Sequence, residues 1–144
     1  MSAFLYLESS AILRGLLEAD KAVLAAITPA SKLLTSALTA VEVERALLRA
    51  FLDKRIGAED RRAKRQWFRE LLGACEIVEL GASVLERGAQ PFPLEPVRTL
   101  DALHLASAVL FEQAMGVAVG VLSVDERVRR NATELGLAVL PGSN

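Results

Sequence analysis

Short apolar runs alternate with longer helical patterns along the whole chain, and this alternation constrains the fold more than any other feature. Phe4–Leu7 reads as a strand, and a helix follows from about Ser10. Leu33–Leu38 is a weaker strand or a loop. Residues 40–53 predict a helix, because Val43, Ala46, Leu47, Ala50 and Phe51 fall on one stripe at helical spacing. Glu59–Leu72 is a second, more polar helix. Glu76–Leu80 reads as a strand, and a short helix runs through the eighties. The prolines of Gln90–Pro96 mark a loop. Leu100–Met115 is a helix apolar nearly all round, as expected of one buried on most sides. Val117–Val124 is a strand, Glu126–Leu135 a helix, Gly136 a C-cap, and Leu137–Leu140 a last short strand. Strands alternating with helices predict an α/β layer fold with a mainly parallel sheet. With no linker or repeat, residues 1–144 read as one domain.

Composition narrows the function classes. Hydrophobic residues make up 52% of the chain, so disorder is excluded. Aromatics are only 5%, so the core must come from Leu, Val, Ile and Ala. A net charge of −1 gives no global field toward nucleic acid or an anionic membrane. Any nucleic-acid binding must then come from a local basic patch or a bound cation. The single cysteine, Cys75, forbids an intrachain disulfide and fits a reducing cytoplasm. The start, MSAFLYLESS, does not read as a signal peptide. No apolar run approaches the roughly 20 residues of a membrane helix.

The acids fall where a parallel sheet places its active site, at the carboxyl ends of the strands. Glu8 directly follows the first strand, and Asp125 sits just past the 117–124 strand. Glu42 and Asp101 lie in the first turns of their helices. All four can reach one edge of the sheet. Asp101 and Glu42 sit in segments otherwise rich in Ala, Leu and Val, where an isolated ionised carboxylate is expensive. Carboxylates converging on one point repel each other, and a hard divalent cation removes that repulsion. Such an ion can activate water toward a phosphodiester.

Each acid also has a plainer explanation. Thr39-x-x-Glu42 and Ser123-x-x-Glu126 match capping boxes, and Thr99 can cap the helix that holds Asp101. On that reading Glu42 is an N3 acid, while Asp125 and Asp101 are N2 acids favoured by the helix dipole. The only histidine, His104, is either a general base or, as favoured, a packed and hydrogen-bonded helix residue. No Ser–His–acid or Cys–His motif surrounds it, and no phosphate-binding glycine loop is present. The run RRAKRQWFRE sets Arg61, Arg65 and Arg69 on one face, which reads first as a solvated amphipathic surface. Arg127, Arg129 and Arg130 lie beside Asp125 and are better placed to meet a phosphate.

Four motifs in this order, YLESSAIL, SALTAVEVERALLRA, RTLDALHLASAVLF and LSVDERVRRNATELGLAVLP, resemble those of PIN-domain nucleases. The resemblance is greatest to VapC-like toxins of toxin–antitoxin modules, and it runs over essentially the whole chain. It implies a three-layer fold, with about five mainly parallel strands flanked by helices. It implies Mg²⁺ or Mn²⁺ held by Glu8, Glu42, Asp101 and Asp125, with Ser10 and Ser123 supporting the ligands. It implies endonucleolytic cleavage of RNA by a metal-activated water, a homodimer, and inhibition by a cognate antitoxin. One departure matters: the family's first acid is normally aspartate, and here it is Glu8. That keeps a second expectation open, a PIN-fold binding module with weakened catalysis that acts through antitoxin or RNA contacts. A phosphoryl-accepting receiver or a haloacid-type phosphatase would need adjacent or Asp-x-Asp acids after the first strand, and residues 7–11 read Leu-Glu-Ser-Ser-Ala.

Overall fold

Phe4–Leu7 (β1) carries only large aliphatic or aromatic side chains and is buried at every position. A strand covered on both faces belongs in the middle of a parallel sheet. The computed structural model, which describes residues 3–27 and 32–142, places it there. Beside β1 run Leu33–Ser36 (β2) and Val119–Leu122 (β4); Cys75–Val78 (β3) and Ala138–Leu140 (β5) complete the order β3-β2-β1-β4-β5. Every neighbouring pair is parallel, with Phe4 opposite Val119, Leu7 opposite Leu122 and Tyr6 opposite Leu34.

Alternation along β1 divides the core, since successive side chains leave opposite faces of a strand. Leu5 and Leu7 pack with Ile12, Val23, Val43 and Phe68. Those residues come from Ser9–Glu18 (α1), Lys21–Ile27 (α2), Ala37–Leu52 (α3) and Ala58–Gly73 (α4). Phe4 and Tyr6 point the other way, into Val84, Leu105, Val109 and Val128. These belong to Ala82–Gly88 (α5), Thr99–Met115 (α6) and Glu126–Glu134 (α7). The result is the expected three-layer α/β fold around a five-stranded parallel sheet.

Several boundaries move for identifiable reasons. Residues 33–38, whose sequence fits either a strand or a loop, form β2 and then enter α3 directly. Ser36 stops the strand by capping the helix: its Oγ accepts the Leu38 amide at 3.0 Å. The helix therefore starts at Ala37, ahead of the expected residue 40. The 117–124 strand shrinks to 119–122, because Gly116 ends α6 in a left-handed conformation (φ 66°) and the chain must turn before pairing. At the end of α7 the cap residue is Leu135, and Gly136 follows it with φ 84°. The α2 helix was not foreseen; Asp20 Oδ1 accepts the Val23 amide at 3.1 Å and starts it.

The strand order fixes where a ligand can bind. From β1 the chain moves to β2 and β3 on one side, then returns to β4 and β5 on the other. The crevice in such a sheet lies at the carboxyl ends of the strands where this reversal occurs, here between β1 and β4. Glu8 and Ser123 are the first residues past those two strands.

Candidate active site

Glu8 turns from β1 into α1 as the N-cap residue, in extended backbone conformation. Its Oε2 accepts the Ser10 amide at 2.8 Å, the Ser123 hydroxyl at 3.3 Å, and the Ser10 hydroxyl. Ser10 Oγ in turn accepts the Val124 amide at 3.2 Å, and Ser123 Oγ accepts the Asp125 amide at 3.1 Å. The two serines therefore tie the end of β1 to the end of β4 and fix Glu8 between them. Glu8 is only 3% exposed. Burial pushes its carboxyl pKa up, the bonds from Ser10 and the nearby His104 oppose that, and the Asp101 charge pushes it further up.

Asp101 is the third residue of α6. The cap position belongs to Arg98, whose side chain makes no capping bond, so the expected Thr99 cap with Asp101 at N2 is corrected by one residue. The Asp101 side chain is 14% exposed, and its Oδ2 is buried with no hydrogen-bond donor. The nearest cation is Arg98 Nε at 3.6 Å, on a side chain otherwise in solvent. Burial raises the Asp101 pKa, and the charges of Asp125 and Glu42 raise it further.

The other two acids also depart from the capping readings. Thr39 lies inside α3 and accepts a hydrogen bond from Thr35 Oγ1 at 2.8 Å, so Thr39-x-x-Glu42 is not a capping box. Glu42 instead bonds across the sheet edge, its Oε1 lying 2.6 Å from Nε2 of His104. Asp125 is itself the N-cap of α7, accepting the Val128 amide on Oδ1 at 3.0 Å. Ser123 thus serves Glu8 and the Asp125 backbone, and does not cap α7.

His104 is 1% exposed. Its Nδ1 lies 2.7 Å from the Tyr6 hydroxyl, and its Nε2 lies 3.5 Å from Ser9 Oγ. Burial, together with the Glu8 and Glu42 charges, holds the Tyr6 phenol pKa well above its usual value. Tyr6 and Ser9 were not singled out from the sequence. The available signal was Tyr6 itself, a lone hydroxyl in an otherwise hydrocarbon strand.

The four carboxylates thus gather at one edge and act on one another's charge. As they stand, no three or more His, Cys, Asp or Glu side chains among the described residues form a cluster that could hold one metal ion. The donor chemistry still fits a hard cation. Mg²⁺ typically takes one or two carboxylates directly and keeps several waters. Asp101 Oδ2 is a buried carboxylate oxygen without a hydrogen-bond donor, and the Asp125 and Glu42 carboxylates act on its charge.

The basic residues divide by what they touch. Arg129 donates to Ser123 O at 2.8 Å, Leu140 O at 3.1 Å and Pro141 O at 2.8 Å, which secures the ends of β4 and β5. Arg127 donates to Pro96 O, and Arg130 is exposed. In the RRAKRQWFRE stretch, Arg65 makes a two-pronged bond to Glu44 of α3 at 3.0 and 2.8 Å, which lowers the Glu44 pKa. Arg61 sits over the Phe51 ring at 5.6 Å. That face is therefore partly turned onto α3, where a solvated surface was expected.

A parallel three-layer α/β domain with acids at its switch-point crevice is the class these features define. The sequence matches the PIN domain profile over residues 5–134, and the chain belongs to the PIN-domain family. A toxin–antitoxin complex from Klebsiella pneumoniae is similar in structure, with a TM-score of 0.64 and 17% identity over 96% of this chain and 98% of that one. VapBC2 from Rickettsia felis, bound to a promoter DNA fragment, aligns with a TM-score of 0.62 and 9% identity over 94% of this chain and 96% of that one. PAE2754 from Pyrobaculum aerophilum aligns with a TM-score of 0.56 and 19% identity over 94% of this chain and 83% of that one. At these identities the likeness is one of fold. No curated protein sequence matches the chain. No helix among the described residues is long and apolar enough to cross a membrane.

Proposed function

We propose that this chain is a single-domain, metal-dependent endoribonuclease and the toxin of a toxin–antitoxin pair. PIN domains are generally nucleases, and two of the similar structures are toxin–antitoxin complexes. One observation of this chain carries the reading: a buried carboxylate oxygen, Asp101 Oδ2, has no hydrogen-bond donor, and the Asp125 and Glu42 charges press on it against the opposing Arg98 and His104. Asp101, Glu8, Glu42 and Asp125 would hold Mg²⁺ or Mn²⁺, which when bound supplies a Lewis acid and an activated water. Asp101 offers the oxygen without a partner. Ser10 and Ser123 orient Glu8, and the α7 cap bond orients Asp125 while leaving its second oxygen. Arg130 and Arg127, exposed beside Asp125, are the proposed contacts to the RNA backbone; Arg129 is already bonded to three carbonyls. A homodimer in the cytoplasm, silenced by a cognate antitoxin, completes the proposal.

The test is RNA cleavage by the purified chain. Cleavage should need Mg²⁺ or Mn²⁺, stop with EDTA, and be lost in Asp101→Asn while the fold persists. Undiminished cleavage by Asp101→Asn would sink the proposal.

A second reading is favoured by Glu8. Its Oε2 already accepts bonds from Ser10 and Ser123, and the carboxylates do not close into a ligand cluster. On that reading the chain binds antitoxin or RNA with weakened catalysis. Mn²⁺ titration of the wild type and of Glu8→Asp separates the two, because binding by the variant alone favours the second.

A further inference from the structure

The contact between His104 and Glu42 joins two layers of the fold. Glu42 stands on α3, whose core residues Val43 and Leu47 pack on one face of the sheet. His104 stands on α6, whose Leu105 and Ala106 pack on the other. They meet over the carboxyl edge at 2.6 Å. The imidazole is 1% exposed and the Glu42 side chain 20% exposed, so His104 holds the carboxylate from its buried side. The direction of the bond follows from the donors available. An ionised carboxylate has no hydrogen to give, so Nε2 must carry one. Tyr6 engages Nδ1 at 2.7 Å and anchors the ring to β1. Among the described residues, Ser9 Oγ also approaches Nε2, at 3.5 Å.

We infer that His104 is a positioning residue, whose Nε2–H fixes Glu42 so that the second carboxylate oxygen is presented to the acidic crevice, with Tyr6 fixing the ring. Glu8 and Asp125 are held as helix N-caps and Asp101 lies in the first turn of α6, whereas Glu42 lies further inside its helix. Its carboxylate sits at the end of a flexible side chain well inside α3, with His104 as its bonded partner. Loss of this bond therefore frees Glu42, while the hydrogen bonds that hold Glu8 and Asp125 stay in place. The inference rests on the proposed four-carboxylate site.

The experiment compares wild type, His104→Leu, His104→Gln and Tyr6→Phe. The glutamine amide can reproduce the Nε2 donor, whereas leucine keeps the volume without it. Binding of Mn²⁺ alone, read by electron paramagnetic resonance, should weaken on the order of tenfold in His104→Leu, the scale seen when a group supporting a metal ligand is removed. His104→Gln should recover most of that loss. Tyr6→Phe should show a partial loss. In cleavage, kcat should fall in His104→Leu while KM for RNA stays near the wild-type value. A purely structural role predicts instead equal Mn²⁺ affinity once each variant is folded.

His104 is the only histidine, so the nitrogen spectrum of its ring gives a second readout that needs no His104 variant. Glu42→Ala should shift the Nε2 resonance more than the Nδ1 resonance. Wild-type Mn²⁺ affinity in folded His104→Leu, or an unmoved Nε2 resonance in Glu42→Ala, overturns the inference and leaves the four-acid site standing. Absence of Mn²⁺ binding by the wild type overturns the site reading itself.

Discussion

Replacing Asp101 with asparagine should stabilise the metal-free protein while abolishing its function. Asp101 Oδ2 is buried without a donor, and Asp125 and Glu42 repel its charge. A buried acceptor left unsatisfied costs about 1–3 kcal/mol. Asparagine removes the charge and places a donating amide among carboxylate acceptors. What it loses is the 3.6 Å pair with Arg98, whose side chain is 84% exposed. Such a pair contributes less than about 1 kcal/mol. The net expectation is a gain of about 1–2 kcal/mol, or about 3–7 °C in Tm for a chain of this size.

The pH dependence has a definite sign. The folded chain holds the Asp101 proton more tightly than the unfolded chain, because its pKa is raised. Between the ordinary carboxylate range and the raised value, the folded state binds more protons, so this residue's contribution to stability falls as pH rises. The advantage of Asp101→Asn should thus be full at neutral pH and shrink as pH falls through that window. Thermal unfolding in EDTA at several pH values measures it. Saturating Mn²⁺ should reverse the order, since a ligand at about 100 times its Kd stabilises by about 2.7 kcal/mol and the variant lacks the site. A lower Tm for Asp101→Asn in EDTA at neutral pH would refute the reasoning.

Other predictions follow from single contacts. Ser36→Ala removes the cap of α3 and should lower stability by about 1 kcal/mol in chemical denaturation; because that helix carries Glu42, Mn²⁺ binding should weaken too. Arg129→Ala breaks three bonds to the carbonyls of Ser123, Leu140 and Pro141 and should destabilise by about 2–3 kcal/mol, with RNA affinity per folded molecule unchanged. Arg130→Ala should do the opposite, leaving Tm unchanged while weakening RNA binding and reducing its salt dependence by about one unit of slope, as filter binding at graded salt would read.

Much of this architecture was legible because the elements carry their own signals. The apolar β1, the stripe of α3 and the nearly all-apolar α6 each imply their burial, and alternation implies the parallel sheet. The positions of Glu8 and Asp125 after strands could be read for the same reason. Capping was read less well. Thr39, Thr99 and Ser123 all have side chains suited to a cap, but a cap forms only where the helix actually starts. Ser36, Arg98 and Asp125 occupy those points, and tertiary pairing, such as Ser123 N to Leu140 O at 3.0 Å, sets them. His104 was read as a packed, hydrogen-bonded residue, and it is one. Its partners, Tyr6 and Glu42, were beyond reach, being 98 and 62 residues away in the chain.

We propose above all that the carboxylates at the β1–β4 crevice hold a divalent cation. Crystals grown with Mn²⁺ and measured at the manganese absorption edge test it most directly. An anomalous peak should lie about 2.1 Å from Asp101 Oδ2, with Glu8, Glu42 and Asp125 reaching it directly or through water. A crevice without a peak at saturating Mn²⁺, or a peak bound elsewhere on the chain, would contradict it.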